Sequence, residues 1–199
     1  MSIISKFLII TLISFLLFCS KQNKTSSPEV TELAFEVDST RLELTRHDQY
    51  LGIQFNSPKG WTLTPKTLFE AFSKQESSTF LEGSDFKISP ISIFLNQEKK
   101  SILYISQMHG FQDSTSVDKY KDLIQRIFSP NKVGDFFKDN ILFTQYLIQD
   151  ENRVNFKLLF FNSKNQLIQF DYIVPNNFYI SELKAIESSI GSIHLINVE

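Results

Sequence analysis

The chain has 199 residues, of which 42% are hydrophobic and 21% are charged. This length suits one ordinary domain, and the composition is that of a globular protein with a packed core, not of a disordered or collagen-like chain. The formal net charge of -2 excludes the strongly basic surface that nucleic-acid-binding proteins use, so no nucleic-acid partner is predicted.

The N-terminus carries an apolar leader. It reads MSIISKFLIITLISFLLFC, with Lys6 ahead of a mainly apolar stretch of twelve residues from Phe7 to Phe18. A membrane-spanning helix needs roughly 17–25 such residues, whereas the central part of an export signal is shorter. We therefore predict a signal peptide over residues 1–18.

The apolar stretch ends at Cys19, the single cysteine of the chain. The sequence Leu16-Leu17-Phe18-Cys19 resembles the lipobox of bacterial lipoproteins, with Leu16 at the usual leucine position and Phe18 where a small residue is usual. The resemblance implies that the Cys19 thiol is acylated and the peptide is cut before it. The protein would then be anchored to membrane lipid in the bacterial cell envelope, facing the periplasm or the cell exterior. The alternative is an incidental or buried cysteine at the end of a signal anchor.

A polar segment follows the cysteine. Residues 20–28 read SKQNKTSSP, and no apolar periodicity is present. Such a composition is typical of a flexible tether, which we place at residues 19–31. Residues 32–199 are predicted to form a single domain.

The first half of this domain mixes strand and helix patterns. Alternating apolar residues over 51–55 predict a half-buried strand, and Thr64-Pro65 predicts the start of a short helix that includes Phe72. Residues 91–95 and 102–108 predict a hairpin, with Lys99 and Lys100 in its solvated turn.

The second half predicts a helix, a meander and a closing helix. Apolar residues recur at helical spacing over 117–128, with Thr115 or Ser116 as the N-cap. Three strands follow, at about 140–149, 154–161 and 166–174. The turns between them are too short for parallel crossovers, so the strands are predicted to be antiparallel. A last amphipathic helix reaches residue 193, with Gly191 near its C-terminal cap.

The meander strands are apolar on both faces. In the middle strand, Phe156 and Phe160 lie on one face, and Leu159 and Phe161 lie on the other. A sheet of this kind must be covered on both sides. The predicted fold is therefore α+β, a mostly antiparallel sheet covered by helices on both faces in an α/β/α sandwich.

A family resemblance supports this order of elements. Residues 50–61 read YLGIQFNSPKGW, a strand that leads into a Pro/Trp corner with Trp61 as a core anchor, and the domain closes on the helix over 178–193. This pattern resembles PsbP-like domains and covers about residues 50–196. The resemblance implies a scaffold without catalysis or cofactor.

The search for catalytic or metal-binding residues gives no site. No nucleophile elbow, zinc-protease motif, phosphate loop or paired cysteine motif occurs. The histidines stand far apart, at His47, His109 and His194. Asp113, Asp118 and Asp122 supply too few oxygen ligands for a calcium site and lack its glycine turn. We therefore predict no catalytic residue, no metal and no cofactor.

The leading functional hypothesis is a lipid-anchored envelope protein that acts outside the cytoplasm as a non-catalytic binding or assembly module. Its partners would be membrane lipid, through the acylated N-terminus, and a protein of unknown identity. The Phe-rich sheet leaves open a second hypothesis, a carrier of a small apolar ligand. A hydrolase built from dispersed Ser, His and Asp residues is the third.

Overall fold

A computed structural model describes residues 30–71, 86–111 and 114–196. The leader, Cys19 and most of the predicted tether lie outside these residues, and so do Phe72 and Asp113. Residues 66–71 are helical, as the Thr64-Pro65 signal predicts. In the described part of the chain, no helix is both long enough and apolar enough to span a membrane.

Strands dominate the described structure. In chain order they are β1 (Thr31–Glu32), β2 (Arg46–Asp48), β3 (Ile53–Phe55), β4 (Thr62–Leu63), β5 (Lys87–Asn96), β6 (Ser101–His109), β7 (Lys132–Lys138), β8 (Ile141–Gln149), β9 (Arg153–Phe161), β10 (Leu167–Pro175) and β11 (His194–Leu195). A large sheet has the order β1-β7-β8-β9-β10-β6-β5-β4, and a small sheet has the order β11-β3-β2. Every neighbouring pair is antiparallel except β1 and β7, which run parallel.

The predicted hairpin and meander are confirmed. The hairpin is β5 and β6, and the meander is β8, β9 and β10. Each meander strand matches its predicted limits to within one residue, whereas β5 begins four residues earlier than predicted. Polar side chains fix its turns. The Asp150 carboxylate accepts hydrogen bonds from the backbone N–H of Asn152 at 2.8 Å and of Arg153 at 2.9 Å. The Asn162 side chain accepts from the N–H of Lys164 at 3.0 Å. Such local bonds favour a turn over a continued strand.

Two long helices pack on opposite faces of the large sheet. Helix α1 (Ser114–Phe128) buries Tyr120 and Ile124 against Tyr146 and Leu159. Helix α2 (Asn176–Gly191) packs on the other face. The predicted N-cap of the first helix is wrong, because Thr115 and Ser116 lie inside a helix that already begins at Ser114.

The larger core lies between the large sheet, the small sheet and α2. Its aromatic side chains come from distant strands: the Phe170 ring centroid lies 5.3 Å from that of Phe55 and 5.6 Å from that of Phe160. Offset and edge-to-face contacts of this kind add to the stabilisation from burial. The predicted strand over residues 51–55 therefore belongs to the small sheet, as β3, and not to the main one.

The predicted α/β/α sandwich is wrong. The fold is mostly β, because two sheets supply most of its elements and the small sheet shares one face of the large sheet with α2. Helix α1 packs on the opposite face, where Leu142 and Phe161 remain 44% and 40% exposed. The sandwich was predicted because the sequence analysis missed five strands, namely β1, β2, β4, β7 and β11.

The segment after β1 crosses the end of α2. The Leu33 N–H donates to the Phe137 carbonyl at 2.8 Å, and the Phe35 ring then packs beside Gly191. A Cβ atom on Gly191 would lie 2.6 Å from the Cβ of Phe35, closer than real side chains approach. Gly191 is the last residue of the helix, and Ser192 after it keeps a right-handed conformation. The glycine is therefore required by this close approach and not by a left-handed cap.

Candidate functional site

The predicted lipidation site, Cys19, lies outside the described residues. Val30 is the first described residue, eleven positions after the cysteine. The structure therefore bears on the folded module and leaves the anchor as a prediction.

The histidines do not converge on a site. His47 lies in the edge strand β2 of the small sheet and is exposed. His109 ends β6, and His194 lies in β11. Among the described residues no group of three His, Cys, Asp or Glu side chains could hold a metal ion. Asp118 and Asp122 are exposed on α1.

His194 takes part in a small ionic cluster. Its Nδ1 lies 3.1 Å from the Asp139 carboxylate, which also accepts a hydrogen bond from Lys138 Nζ at 2.5 Å. The Lys138 hydrogen bond, followed by the charges of Lys138 and His194, holds the pKa of Asp139 below its ordinary value. Lys138 also donates to the Ile193 carbonyl at 2.9 Å. The cluster therefore ties the β7–β8 turn to β11, which is a structural role.

A Ser–His pair of the kind that a hydrolase requires is not found within the described ranges, where no hydrogen bond joins a serine to a histidine. The buried hydroxyl of Ser189 instead donates to the Asn56 carbonyl at 2.6 Å and lies 3.0 Å from the Tyr172 hydroxyl. Nothing in this arrangement prepares a nucleophile.

A buried polar network lies beneath α1. The Asp171 carboxylate accepts hydrogen bonds from Lys157 and, at 2.5 Å, from the Gln169 side-chain amide. The Gln169 carbonyl oxygen accepts from the Tyr120 hydroxyl of α1 at 2.5 Å. All four side chains are less than 9% exposed. Because buried charges are stable only when paired and hydrogen-bonded, this chain of contacts fixes the position of α1 on the sheet.

The Tyr146 hydroxyl lies against α1 in the same layer. It is buried, and within the described residues it has no hydrogen-bond partner. Burial raises the pKa of this phenol, and the negative charges of Asp135 and Asp122 raise it further. The phenol is therefore held in its neutral form.

We expect Tyr146→Phe to leave the free energy of unfolding unchanged or raise it by about 1 kcal/mol, because the change removes a buried polar group that has no partner. Tyr172→Phe is the matched control, since its hydroxyl lies 3.0 Å from Ser189 Oγ, and it should lower the free energy by about 1 kcal/mol. Urea unfolding followed by circular dichroism measures both. A loss for Tyr146→Phe as large as that for Tyr172→Phe would contradict the assignment.

A second buried carboxylate holds α2 against the sheet. Glu182 accepts a hydrogen bond from Trp61 Nε1 at 2.9 Å and from Lys99 Nζ at 2.5 Å. The prediction of Trp61 as a core anchor is confirmed, since it is 1% exposed. Lys99 lies in the predicted turn and its side chain is 31% exposed, but the pairing of its ammonium with this carboxylate was not predicted.

The most distinctive surface feature is a groove at one end of the large sheet, beside the first half of α1. We call it the end groove. Its volume is about 180 Å³, and its lining includes Val117 and Lys121 of α1, Leu142 and Thr144 of β8, Phe161 of β9 and Leu195 of β11. Lys121 is the one charged residue in the lining. A further recess, of about 510 Å³, is open and polar and lies on α1 itself, at Lys119, Asp122, Gln125 and Arg126.

Comparison with known proteins gives a match by structure. No family model matches the chain, and no curated protein sequence matches it either. The solution structure of cyanobacterial PsbP (CyanoP) from Synechocystis sp. PCC 6803 matches with a TM-score of 0.51 and covers 82% of this chain and 97% of that chain. The fold is PsbP-like. At 13% identity this similarity shows the fold alone, and to that extent the predicted PsbP-like resemblance is confirmed.

Sequence reasoning missed the end groove, the network beneath α1 and the Glu182 cluster. Each joins side chains that are distant in the chain; the Trp61–Glu182 bond, for example, spans 121 positions. One signal was available, since Lys157 and Asp171 are charged residues in the middle of largely apolar strands. A charge at such a position indicates a buried partner.

Proposed function

We propose that the protein is a bacterial lipoprotein, anchored to membrane lipid through Cys19, whose PsbP-like domain acts outside the cytoplasm as a non-catalytic binding or assembly module. The observation that carries the proposal is the position of the single cysteine. It directly follows the apolar leader and precedes the first described residue by eleven positions. An extended segment of this length reaches about 36 Å, enough to hold a folded domain clear of a bilayer surface.

Stable membrane binding requires that Cys19 carry more than one acyl chain. Each buried methylene contributes about 0.8 kcal/mol, so two or three acyl chains on Cys19 hold a protein firmly, whereas one chain alone binds reversibly. The PsbP-like fold is compatible with this arrangement, because β1, the first strand of the domain, lies at the edge of the large sheet.

The binding role is favoured by what the described residues contain. They present a partly exposed apolar end groove, and none of their groups of His, Cys, Asp or Glu side chains could hold a metal ion. The ligand-carrier alternative receives less support, since small-molecule pockets have volumes of about 300–1,000 Å³ and the end groove, at about 180 Å³, is smaller. The larger recess is open and is lined by four polar or charged residues of a single helix, which does not suit an apolar ligand.

Labelling of growing cells with radioactive palmitate tests the anchor. We expect the wild-type chain to incorporate the label and Cys19→Ala to lose it completely, because this residue supplies the one thiol in the sequence. Ser20→Ala is the matched control and should label normally. Equal labelling of Cys19→Ala and wild type, or no labelling of either chain, would refute the anchor.

A further inference from the structure

We propose that the end groove binds a segment of a partner protein in which a large apolar side chain stands next to a carboxylate. The inference deepens the proposed binding role and rests on it, but it does not depend on the lipid anchor.

The apolar part of the proposal rests on three side chains at the mouth of the end groove. Leu142, Phe161 and Leu195 are 44%, 40% and 38% exposed, although each belongs to a β-strand. They adjoin the buried Leu159 and Leu167, which form the floor of the end groove. Contiguous apolar surface around a recess is typical of an interaction site, and a large side chain seated there would complete the packing.

The acidic part rests on Lys121. It is the one charged lining residue, and its ammonium lies 3.9 Å from the nearest Asp135 oxygen. Well-formed charge-assisted hydrogen bonds are about 2.7–2.9 Å long, so this ion pair is loose. The same Asp135 oxygen already accepts a bond from the Thr144 hydroxyl at 2.6 Å. The Lys121 ammonium can therefore donate to a second carboxylate, from a partner, without losing a strong existing bond.

The shape of the end groove favours a projecting protein segment over a flat surface such as a lipid bilayer. Val117 and Lys121 lie one turn apart on α1 and form a wall that stands above the sheet face. A helix with its side chains is about 10–12 Å thick, so a flat lipid surface beside it cannot reach the floor. A volume of about 180 Å³ accommodates one or two side chains that project from a chain segment.

Photo-crosslinking with two defined peptides tests the proposal on the full chain purified in a mild detergent. The probes are acetyl-Ser-Gly-(photo-leucine)-Glu-Gly-Ser-amide and the same peptide with Lys in place of Glu. We expect the Glu peptide to label residues of the end groove about threefold more than the Lys peptide, as one exposed ion pair allows. Mass spectrometry of tryptic fragments locates the label.

Three variants make the test specific. Lys121→Gln should abolish the difference between the peptides, and Phe161→Asp should reduce labelling by both. Ile180→Asp is the matched control, since Ile180 is an apolar side chain on α2 with 77% exposure, and it should change nothing. The native fluorescence of the buried Trp61 confirms that each variant is folded.

Equal labelling of the wild type by both peptides would overturn the proposal, and so would label that maps away from the end groove. If neither peptide labels and Phe161→Asp converts a dimer into a monomer, a second copy occupies the groove and the proposal is wrong. Loss of palmitate labelling with intact peptide labelling would refute the anchor and leave this inference standing.

Discussion

Replacing Asp171 with alanine is expected to lower the free energy of unfolding by about 3–5 kcal/mol, because breaking a buried ion pair leaves the remaining charge in a poor environment. Asp171 is 5% exposed, and its carboxylate accepts from Lys157, from Gln169 and, at 3.4 Å, from the Asn155 amide. The loss of stability should extend to α1, because Tyr120 of this helix is hydrogen-bonded to Gln169. Urea unfolding measures the total, and hydrogen exchange measures the local effect on α1.

Asp150→Ala is the matched control for this prediction. Asp150 also pairs with a basic side chain, at 3.1 Å from Arg153, but both groups are at least half exposed. We expect a loss of about 1 kcal/mol from the exposed ion pair and the turn hydrogen bonds together. If both aspartate variants lowered the free energy of unfolding by the same small amount, the network beneath α1 would not be buried.

Replacing Phe160 with alanine is the second change with a large expected effect. Phe160 is 1% exposed and its ring lies 4.9 Å from that of Phe143 in the larger core. Removing such a ring destabilises proteins by about 3–5 kcal/mol through lost burial and the cavity that remains. Differential scanning calorimetry and urea unfolding should agree on the size of the loss.

The neighbouring Phe161 supplies the control, since it has the same side chain in the same strand and is 40% exposed. Phe161→Ala should lower the free energy of unfolding by no more than about 1 kcal/mol. The contrast follows from the two-residue period of β9, in which successive side chains point to opposite faces. A reversed pair of results would show that β9 is shifted by one residue in the sheet, because such a slip exchanges its two faces.

The parts of the fold that were predicted correctly have local signals in the sequence. Asp150 and Asn162 stand in short polar turns between largely apolar segments of strand length, so the meander could be predicted from nearby residues alone. The hairpin of β5 and β6 and the two long helices also follow from periodicity. These signals do not depend on what each element packs against.

The parts that were missed depend on distant partners. Strand β7 reads KVGDFFK, where Gly134 and Asp135 interrupt the alternation, and it is stabilised by pairing with β8 and with the N-terminal β1. The small sheet brings residues near position 47 together with residues near position 195. Propensity is a weak guide where tertiary pairing decides the conformation. The end groove could not be predicted for the same reason, since α1, β8, β9 and β11 all contribute to it.

The edge position of β1 has a mechanical consequence. A pulling force that enters at the N-terminus reaches the domain first through two residues paired to β7, then through the contact of Phe35 with Gly191. The rest of the sheet is joined by strands of seven to ten residues from β7 to β5. Tension would therefore detach residues 30–37 before it reaches the longer strands, lengthening the N-terminal segment by about 26 Å.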